Sequence, residues 1–496
     1  MSNPSSIQIP DIHVSLTSDM MLGLKPSAPS SRAYRVNIAP NNKQLFTPSD
    51  MITIDIPTSR PNTWYDPSQS YLKFSVQLQS ANATAITNLG ADGIFVDNTA
   101  YSFFQRLDVY NGSNQLETIT QYGGLANTLI DISLTQSDKA SLSSLFGCNP
   151  YTVSSGLGVA PVANTGISTV QTAGDRSGLT LSSAAAIANG VAYTFCLPLL
   201  SGVIGANASK MIPIGDLRAP ITIQLYTSAN DDAICYGIAS GATIWQIVNV
   251  EYIATFVEIQ DSAYQTHLQP EIPYYISTKS WRESGMTIPA NTTGEFTNIL
   301  AFRMASICNI LGRFRNNSAT AQAAAGGVYR TSSSINPNLS YYYFKVGSQT
   351  IPNKPVYLVN GAGGVLVGTA NEGFAELLKS MHALTSTYGN SAITYNQYNV
   401  AQAAQGNFIA AYAAGALKNH GLDTSNNAFC IGQELESFAK RSDTILSGMS
   451  TLNTNLFFTA GVVNGQNTGG ANIVAEFYAQ YDLILVIQEG YITSKY

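Results

Sequence analysis

Residues 475–488 read AEFYAQYDLILVIQ, and their apolar positions recur at every second residue. Phe477, Ala479, Tyr481, Leu483, Leu485 and Ile487 fall on one side; Glu476, Gln480, Asp482 and Gln488 fall on the other. Successive side chains on a strand point to opposite faces, so this period of two marks a strand with one face toward a core and one toward water. The pattern recurs along the chain, in Leu72, Phe74, Val76 and Leu78, in Ile52, Ile54 and Ile56 before Pro57, and in Ile221, Ile223 and Leu225. Between Val248 and Phe256, an apolar face of Val248, Val250, Tyr252 and Phe256 opposes Asn249, Glu251 and Thr255. Val257 and Ile259 then switch parity, which predicts a bulge or a change of environment after Phe256. Asn-Gly pairs at 111–112, 189–190, 360–361 and 464–465 suit tight turns, because both residues tolerate positive φ. The fold class is all-β, built from antiparallel sheets.

Helical patterns are few. Phe374, Leu377, Leu378, Met381 and Leu384 follow helical spacing behind a capping Asn371, and an Ala-rich stretch runs from Val400 to Leu417. Shorter candidates are Leu125–Ile132 and Ser137–Leu145, the second with Ser137 as N-cap. The order of elements before residue 260 resembles the order before residue 490. Ser201-Gly202 precedes strand Ile221–Tyr226 and then the long strand to Ile259; Ser447-Gly448 precedes Leu456–Phe458 and then the long strand to Ile487. The chain therefore divides into an N-terminal arm at 1–45, a first sandwich domain at 46–268 and a second at 269–490. A helical insertion lies at 371–421 within the second domain, and a short C-terminal tail at 491–496. Gln269–Pro273, with two prolines, marks the boundary.

Only 11% of the 496 residues are charged, against 45% hydrophobic, which excludes disorder for most of the chain. A net charge of −6 excludes a nucleic-acid binder working through bulk charge. Two explanations fit so uncharged an exterior: burial against other copies of the chain, since stable interfaces lose Lys, Glu and Asp, or a secreted β-protein coated in Ser, Thr, Asn and Gly. The first ten residues, MSNPSSIQIP, lack the n- and h-regions of a signal peptide, and no apolar run is long enough for a membrane span. Cys148, Cys196, Cys235, Cys308 and Cys430 are an odd number at wide spacing, which points to neither a disulfide framework nor a zinc site. The chain reads as made and kept in a reducing compartment.

The sequence offers no catalytic constellation. His13, His267, His382 and His420 are scattered, and neither H-E-x-x-H nor G-x-S-x-G occurs. Gly361-Ala362-Gly363-Gly364 lacks the phosphate-loop Lys and reads as a hairpin end. Asp231-Asp232 reads as a solvated turn. Glu434 and Glu436, with Lys440, Arg441 and Asp443, form a mixed-charge group that suits a subunit contact as well as water. Basic residues cluster at Lys25, Arg32, Arg35 and Lys43 in the arm and at Arg303, Arg313 and Arg315 around the strand-like Ile307–Leu311. Contact with nucleic acid or an anionic membrane and a plain solvated tail both remain open for the arm. No catalytic, cofactor-binding or metal-ligating residue is assigned, and no cofactor or small-molecule substrate is expected.

Three stretches carry a resemblance. Glu434-Leu435-Glu436, Lys440–Gly448 and the strand Ala475–Gln488 look like the second domain of a double jelly-roll major capsid protein from tailless icosahedral double-stranded DNA viruses, of the polinton-like virus and virophage type. Phe103–Val109 running into Asn111-Gly112, and Gly215–Pro220 ahead of a strand, resemble the first domain of the same group. The resemblance implies two eight-stranded jelly rolls per chain, a homotrimer whose six lobes form a pseudo-hexagonal tile, and a trimer–trimer lattice forming the virion shell after synthesis in the host cytoplasm. It also implies penton and minor capsid proteins as partners. The insertion 371–421 would be an outer tower or an intra-trimer clamp. The arm would lie on the inner face against membrane, genome or a neighbouring tile. The alternative is a β-sandwich carbohydrate-binding or fibre protein with a shallow aromatic site. A sandwich glycosidase would need a carboxylate pair that the sequence does not present.

Overall fold

In the computed structural model, the strand announced by residues 475–488 runs from Ile473 to Gln488 and has hydrogen-bonded neighbours on both sides along its length. The structure describes residues 30–58, 60–80, 94–148, 177–182, 192–205, 210–236, 243–259, 273–316, 334, 336–337, 339–358, 371–383, 398, 429–437, 446–462 and 472–496. In chain order the first half contributes β1 (Ser31–Ile38), β2 (Leu45–Phe46), β3 (Met51–Ile56), β4 (Thr63–Ser80), β5 (Ile94–Asp97), β6 (Phe104–Asn111), β7 (Asn114–Thr120), β8 (Ser177–Ser182), β9 (Ala192–Leu197), β10 (Ile221–Thr227), β11 (Ile234–Tyr236) and β12 (Thr243–Ile259). The second half contributes β13 (Tyr274–Ile288), β14 (Glu295–Leu300), β15 (Ile307–Asn316), β16 (Leu339–Val346), β17 (Gln349–Tyr357), β18 (Cys430–Glu434), β19 (Leu456–Val462), β20 (Ile473–Gln488) and β21 (Tyr491–Lys495).

The duplication is evident in the pairing. In the first half the sheets run β1-β12-β4-β9 and β3-β10-β6-β7; in the second they run β13-β20-β15-β18 and β14-β19-β16-β17. Counted along the chain, with β2, β5, β8, β11 and β21 set aside, both halves give the same orders, 1-8-3-6 and 2-7-4-5. That order is the eight-stranded jelly roll. A small sheet, β11-β5-β8, is added to the first. The strand called from Leu72–Leu78 is the middle of β4, Ile52–Ile56 is β3, and Ile221–Leu225 is β10.

Each sandwich closes around aromatic rings. Phe74 meets Phe104 edge-on at 5.1 Å, and Phe103 meets Trp245 at 5.0 Å in the first. Phe458 meets Phe477 at 4.7 Å in the second, with Phe314 and Phe344 around them. Such pairs add about 0.5–1.5 kcal/mol each beyond the area they bury.

Four sequence expectations shift. The arm is shorter than 1–45: Ser31–Ile38 pairs antiparallel with Ile259–Tyr252, because Tyr34, Val36 and Ile38 pack against the core. The tail is not a tail: Tyr491–Lys495 takes the flank of β20 that β15 leaves free beyond Tyr481, across a turn whose Glu489 and Gly490 both have positive φ. The irregularities in β12 precede Phe256. The register shifts between Val248 and Glu251 and again between Ile253 and Thr255, with Asn249 at φ 52. The inward set is therefore Trp245 and Ile247, then Val250, Tyr252, Ala254 and Phe256. Finally, the helix cap near 137 is Thr135, whose hydroxyl accepts from the Asp138 amide while Asp138 accepts from the Thr135 amide.

Helices Tyr122–Ser133 and Asn371–Ser380 each lie in the connection between the fifth and sixth strands of their jelly roll; the second takes Asn371 as its first residue, not its cap, and ends at Ser380, before the Met381 that the spacing included. The second helix lies along β18 through buried Leu377, so the start of the 371–421 insertion packs on the sandwich. The Val400–Leu417 helix, the Gly361–Gly364 stretch and the turns at 189–190, 360–361 and 464–465 lie outside the described residues. No helix among the described residues is long and apolar enough to cross a membrane.

Candidate functional site

The polar face expected on β20 is buried at Glu476 and Asp482, half-buried at Gln480 and exposed only at Gln488. Glu476 is 1% exposed because the outer face of the β13-β20-β15 sheet, the face away from its own core, is covered by the first jelly roll. Arg313 on β15 stands opposite Glu476 in the ladder and bonds it at 2.6 Å, and Arg315 bonds the other carboxylate oxygen at 2.8 Å. The Tyr478 hydroxyl donates to Glu476 at 3.0 Å. Burial alone would raise the Glu476 carboxyl, but the Arg313 and Arg315 guanidiniums outweigh it and bring the pKa down to about 2.

The first jelly roll meets this cluster with the start of helix Tyr122–Ser133. Arg313 donates to the Gly124 carbonyl at 3.5 Å, and a Cβ on Gly124 would lie 2.9 Å from both Arg313 Nη2 and the Tyr478 hydroxyl. A side chain at this position would have to push the tips of Arg313 and Tyr478 away from Glu476. Beside it, Glu117 of β7 is buried without a cation. It accepts from Ser201 and Ser280 hydroxyls and from the Gly202 amide at 2.8 Å, which ties β7, the 201–202 turn and β13 together. Burial raises its carboxyl, and those donors oppose the rise. Thr120 donates to Glu283 at 2.7 Å across the same seam.

A clasp closes one end. The Ile492 amide donates to Asn111 Oδ1 at 2.8 Å, Asn114 donates to the Ile492 carbonyl at 3.2 Å, and the Arg218 amide donates to the Gly490 carbonyl at 2.9 Å. Asn111 also donates to the Ala219 carbonyl at 2.9 Å. Two stretches singled out in the sequence, Asn111-Gly112 and Gly215–Pro220, thus meet at the C-terminal strand.

The sequence-flagged residues sort as follows. Arg313 and Arg315 join Glu476, whereas Arg303 stands apart near Asn455. The Arg-x-Arg spacing on a strand, with a glutamate amid apolar residues elsewhere, was the available signal for the seam. Arg32 and Arg35 sit on β1, and Lys43 pairs with Asp50 at 2.8 Å. Asp232 lies in a four-residue helix and lines a cavity of about 90 Å³ at the seam with Gln121, Gly124, Arg313 and Arg315. Glu434 and Glu436 approach His382 and Lys279. His13, His267, His420, Lys25, Lys440, Arg441 and Asp443 lie outside the described residues. Cys148, Cys196, Cys308 and Cys430 are free thiols.

No family model matches the sequence, and no curated protein matches it. Solved structures do match over nearly the whole chain. A chain of the Sputnik virophage cryo-EM structure aligns with a TM-score of 0.57 at 12% identity, covering 98% of this chain and 93% of that one. The Faustovirus major capsid protein aligns at 0.54 and 9%, covering 96% and 93%. The mavirus major capsid protein aligns at 0.51 and 12%, covering 100% and 96%. The chain has the double jelly-roll fold of viral major capsid proteins. Coverage of both jelly rolls and the connection between them makes the likeness one of whole architecture. In this double jelly roll the seam is what joins the two sandwiches.

Proposed function

We propose that the chain is a major capsid protein, a structural tile of an icosahedral virion shell that works as a homotrimer by assembly and not by turnover. The observation that carries the reading is the pair of identically ordered jelly rolls aligned end to end with capsid proteins. The low charge of the chain supports it, since buried subunit faces shed Lys, Glu and Asp.

The seam itself supports the trimer. Strands β4 and β12 hold the places in the first jelly roll that β15 and β20 hold in the second. Opposed in register on them are Lys73 and Glu251, bonded at 3.2 Å, the counterpart of Arg313 and Glu476. The inner pair is covered by the chain's own first domain, but Lys73 and Glu251 remain 39% and 35% exposed. If the second domain of a neighbouring chain covers them as the first domain covers Arg313 and Glu476, one contact repeats six times. A head-to-tail contact that closes in six lobes is a ring of three chains. Contacts between such trimers would be smaller and more polar, with penton and minor capsid proteins at the remaining vertices and joints.

Light scattering on the recombinant chain is expected to give three times 52.9 kDa, with a hexagonal outline in negative stain. A monodisperse monomer would overturn the reading. Glu251→Lys is expected to keep the fold, since exposed pairs contribute only about 0–1 kcal/mol, and to shift trimer to monomer.

A further inference from the structure

We infer that His382, Glu434 and Glu436 form a binding site for a divalent transition-metal ion of the zinc class, a site independent of the capsid reading. The sequence spreads these residues over 55 positions. The fold joins them because helix Asn371–Ser380 packs along β18. His382 lies just past the helix end, at φ 56, and Glu434 and Glu436 end and follow the strand.

One donor atom from each side chain lies within 4.8 Å of the other two. His382 Nδ1 is 3.8 Å from Glu434 Oε1, and Nε2 is 3.8 Å from Glu436 Oε2. Ligands at about 2.0–2.2 Å from a tetrahedral zinc stand about 3.5 Å from each other. The imidazole is half exposed, with 40% of its side chain accessible, so the ring has room to turn one nitrogen toward both carboxylates.

A second observation points the same way. Glu434 Oε1 is buried and has no hydrogen-bond partner, and neither has Asn309 Oδ1. Asn309, 3% exposed, faces Glu434 directly across the β15–β18 ladder, and its amide nitrogen is committed to Ser380 and Gln480. Buried acceptors left unpaired cost about 1–3 kcal/mol each, more when charged. The unpaired Glu434 Oε1, beside an imidazole and a second carboxylate, is satisfied by a cation held between the carboxylates.

The donor set selects the ion. A neutral imidazole with two carboxylates balances a charge of two and suits zinc and its neighbours, whereas calcium prefers six to eight oxygens. Three protein ligands leave a fourth position for water. Lys279 sets the limit on affinity. Its ammonium lies 3.3 Å from both Glu436 oxygens and competes for the same charge, while the Ser447 hydroxyl holds Oε1 in place.

The test is zinc chloride titration of the chelator-stripped full chain by calorimetry, with cobalt(II) absorption to identify the donors. A Kd of about 10 µM or tighter is expected, with a tetrahedral cobalt spectrum lacking the thiolate charge-transfer band that the free cysteines would add. His382→Ala should weaken binding by about tenfold or more while leaving the metal-free unfolding midpoint unchanged, because the ring is half exposed. Lys279→Met should tighten binding several-fold, an effect that a plain salt-bridge cluster would not produce. Zinc uptake that is absent at that concentration, equal in His382→Ala, or accompanied by a thiolate band would overturn the site.

Discussion

Replacing Glu476 with Gln would leave Arg313, 2% exposed, without its counter-charge inside the seam. The size of the effect follows from the carboxyl itself. Its ordinary value of 4.5 falls to about 2 in the folded chain, and a drop of roughly 2.5 pH units at about 1.4 kcal/mol each is about 3 kcal/mol. Removing one partner of a buried pair costs about 3–5 kcal/mol by mutation, in the same range. The sign is that of a depressed carboxyl: the stability is present above pH 4.5 and is lost as pH falls toward 2. Urea unfolding, followed by tryptophan fluorescence with Trp245 reporting the first core and Trp281 the seam strand, measures it at pH 7 and again near pH 3. The expected result is a loss of about 3 kcal/mol for Glu476→Gln at pH 7 that shrinks at the lower pH. Replacing the pair whole, Glu476→Leu with Arg313→Met, should cost less than Glu476→Gln alone, because a buried pair exchanged for apolar groups comes closer to neutral than one left with a single charge. A pH-independent loss, or one below about 1 kcal/mol, would refute the view that the ion pair holds the domains together.

Two further outcomes test the chain ends. Ile492→Ala should lower stability by about 2–5 kcal/mol in the same denaturation assay, since Ile492 is fully buried and its backbone makes two bonds to the first domain. Truncation before residue 46 should lower the melting temperature sharply relative to truncation before residue 30. The longer cut removes all eight residues of β1 and bares the flank of β12 they cover.

The strands were legible because burying one face of a sheet imposes a period of two on any sequence. That signal located β3, β4, β10, β12 and β20 and, through their order, the duplication. It missed β1, where Tyr34, Val36 and Ile38 alternate with Arg35 and Asn37 inside what read as a basic arm. It also missed β21, whose five residues are too few to show a period. The bulges of β12 fell earlier than the parity change suggested, because Asn249 in the left-handed region already re-phases the strand.

Local pattern does not say what covers the second face of a sheet. Glu251 and Glu476 look alike in the sequence, each a glutamate on a long strand among apolar neighbours, and each takes a basic partner from the adjacent strand. One stays about a third exposed and the other is sealed. The fold class, the two halves and the low-charge exterior followed from the sequence by itself, since they depend on periodicity and composition summed along the chain. The ion pair in the seam, the clasp at Asn111 and the meeting of His382 with Glu434 and Glu436 were decided only by the tertiary structure. Each joins segments tens to hundreds of residues apart, and burial sets the energy of such contacts only after the domains dock.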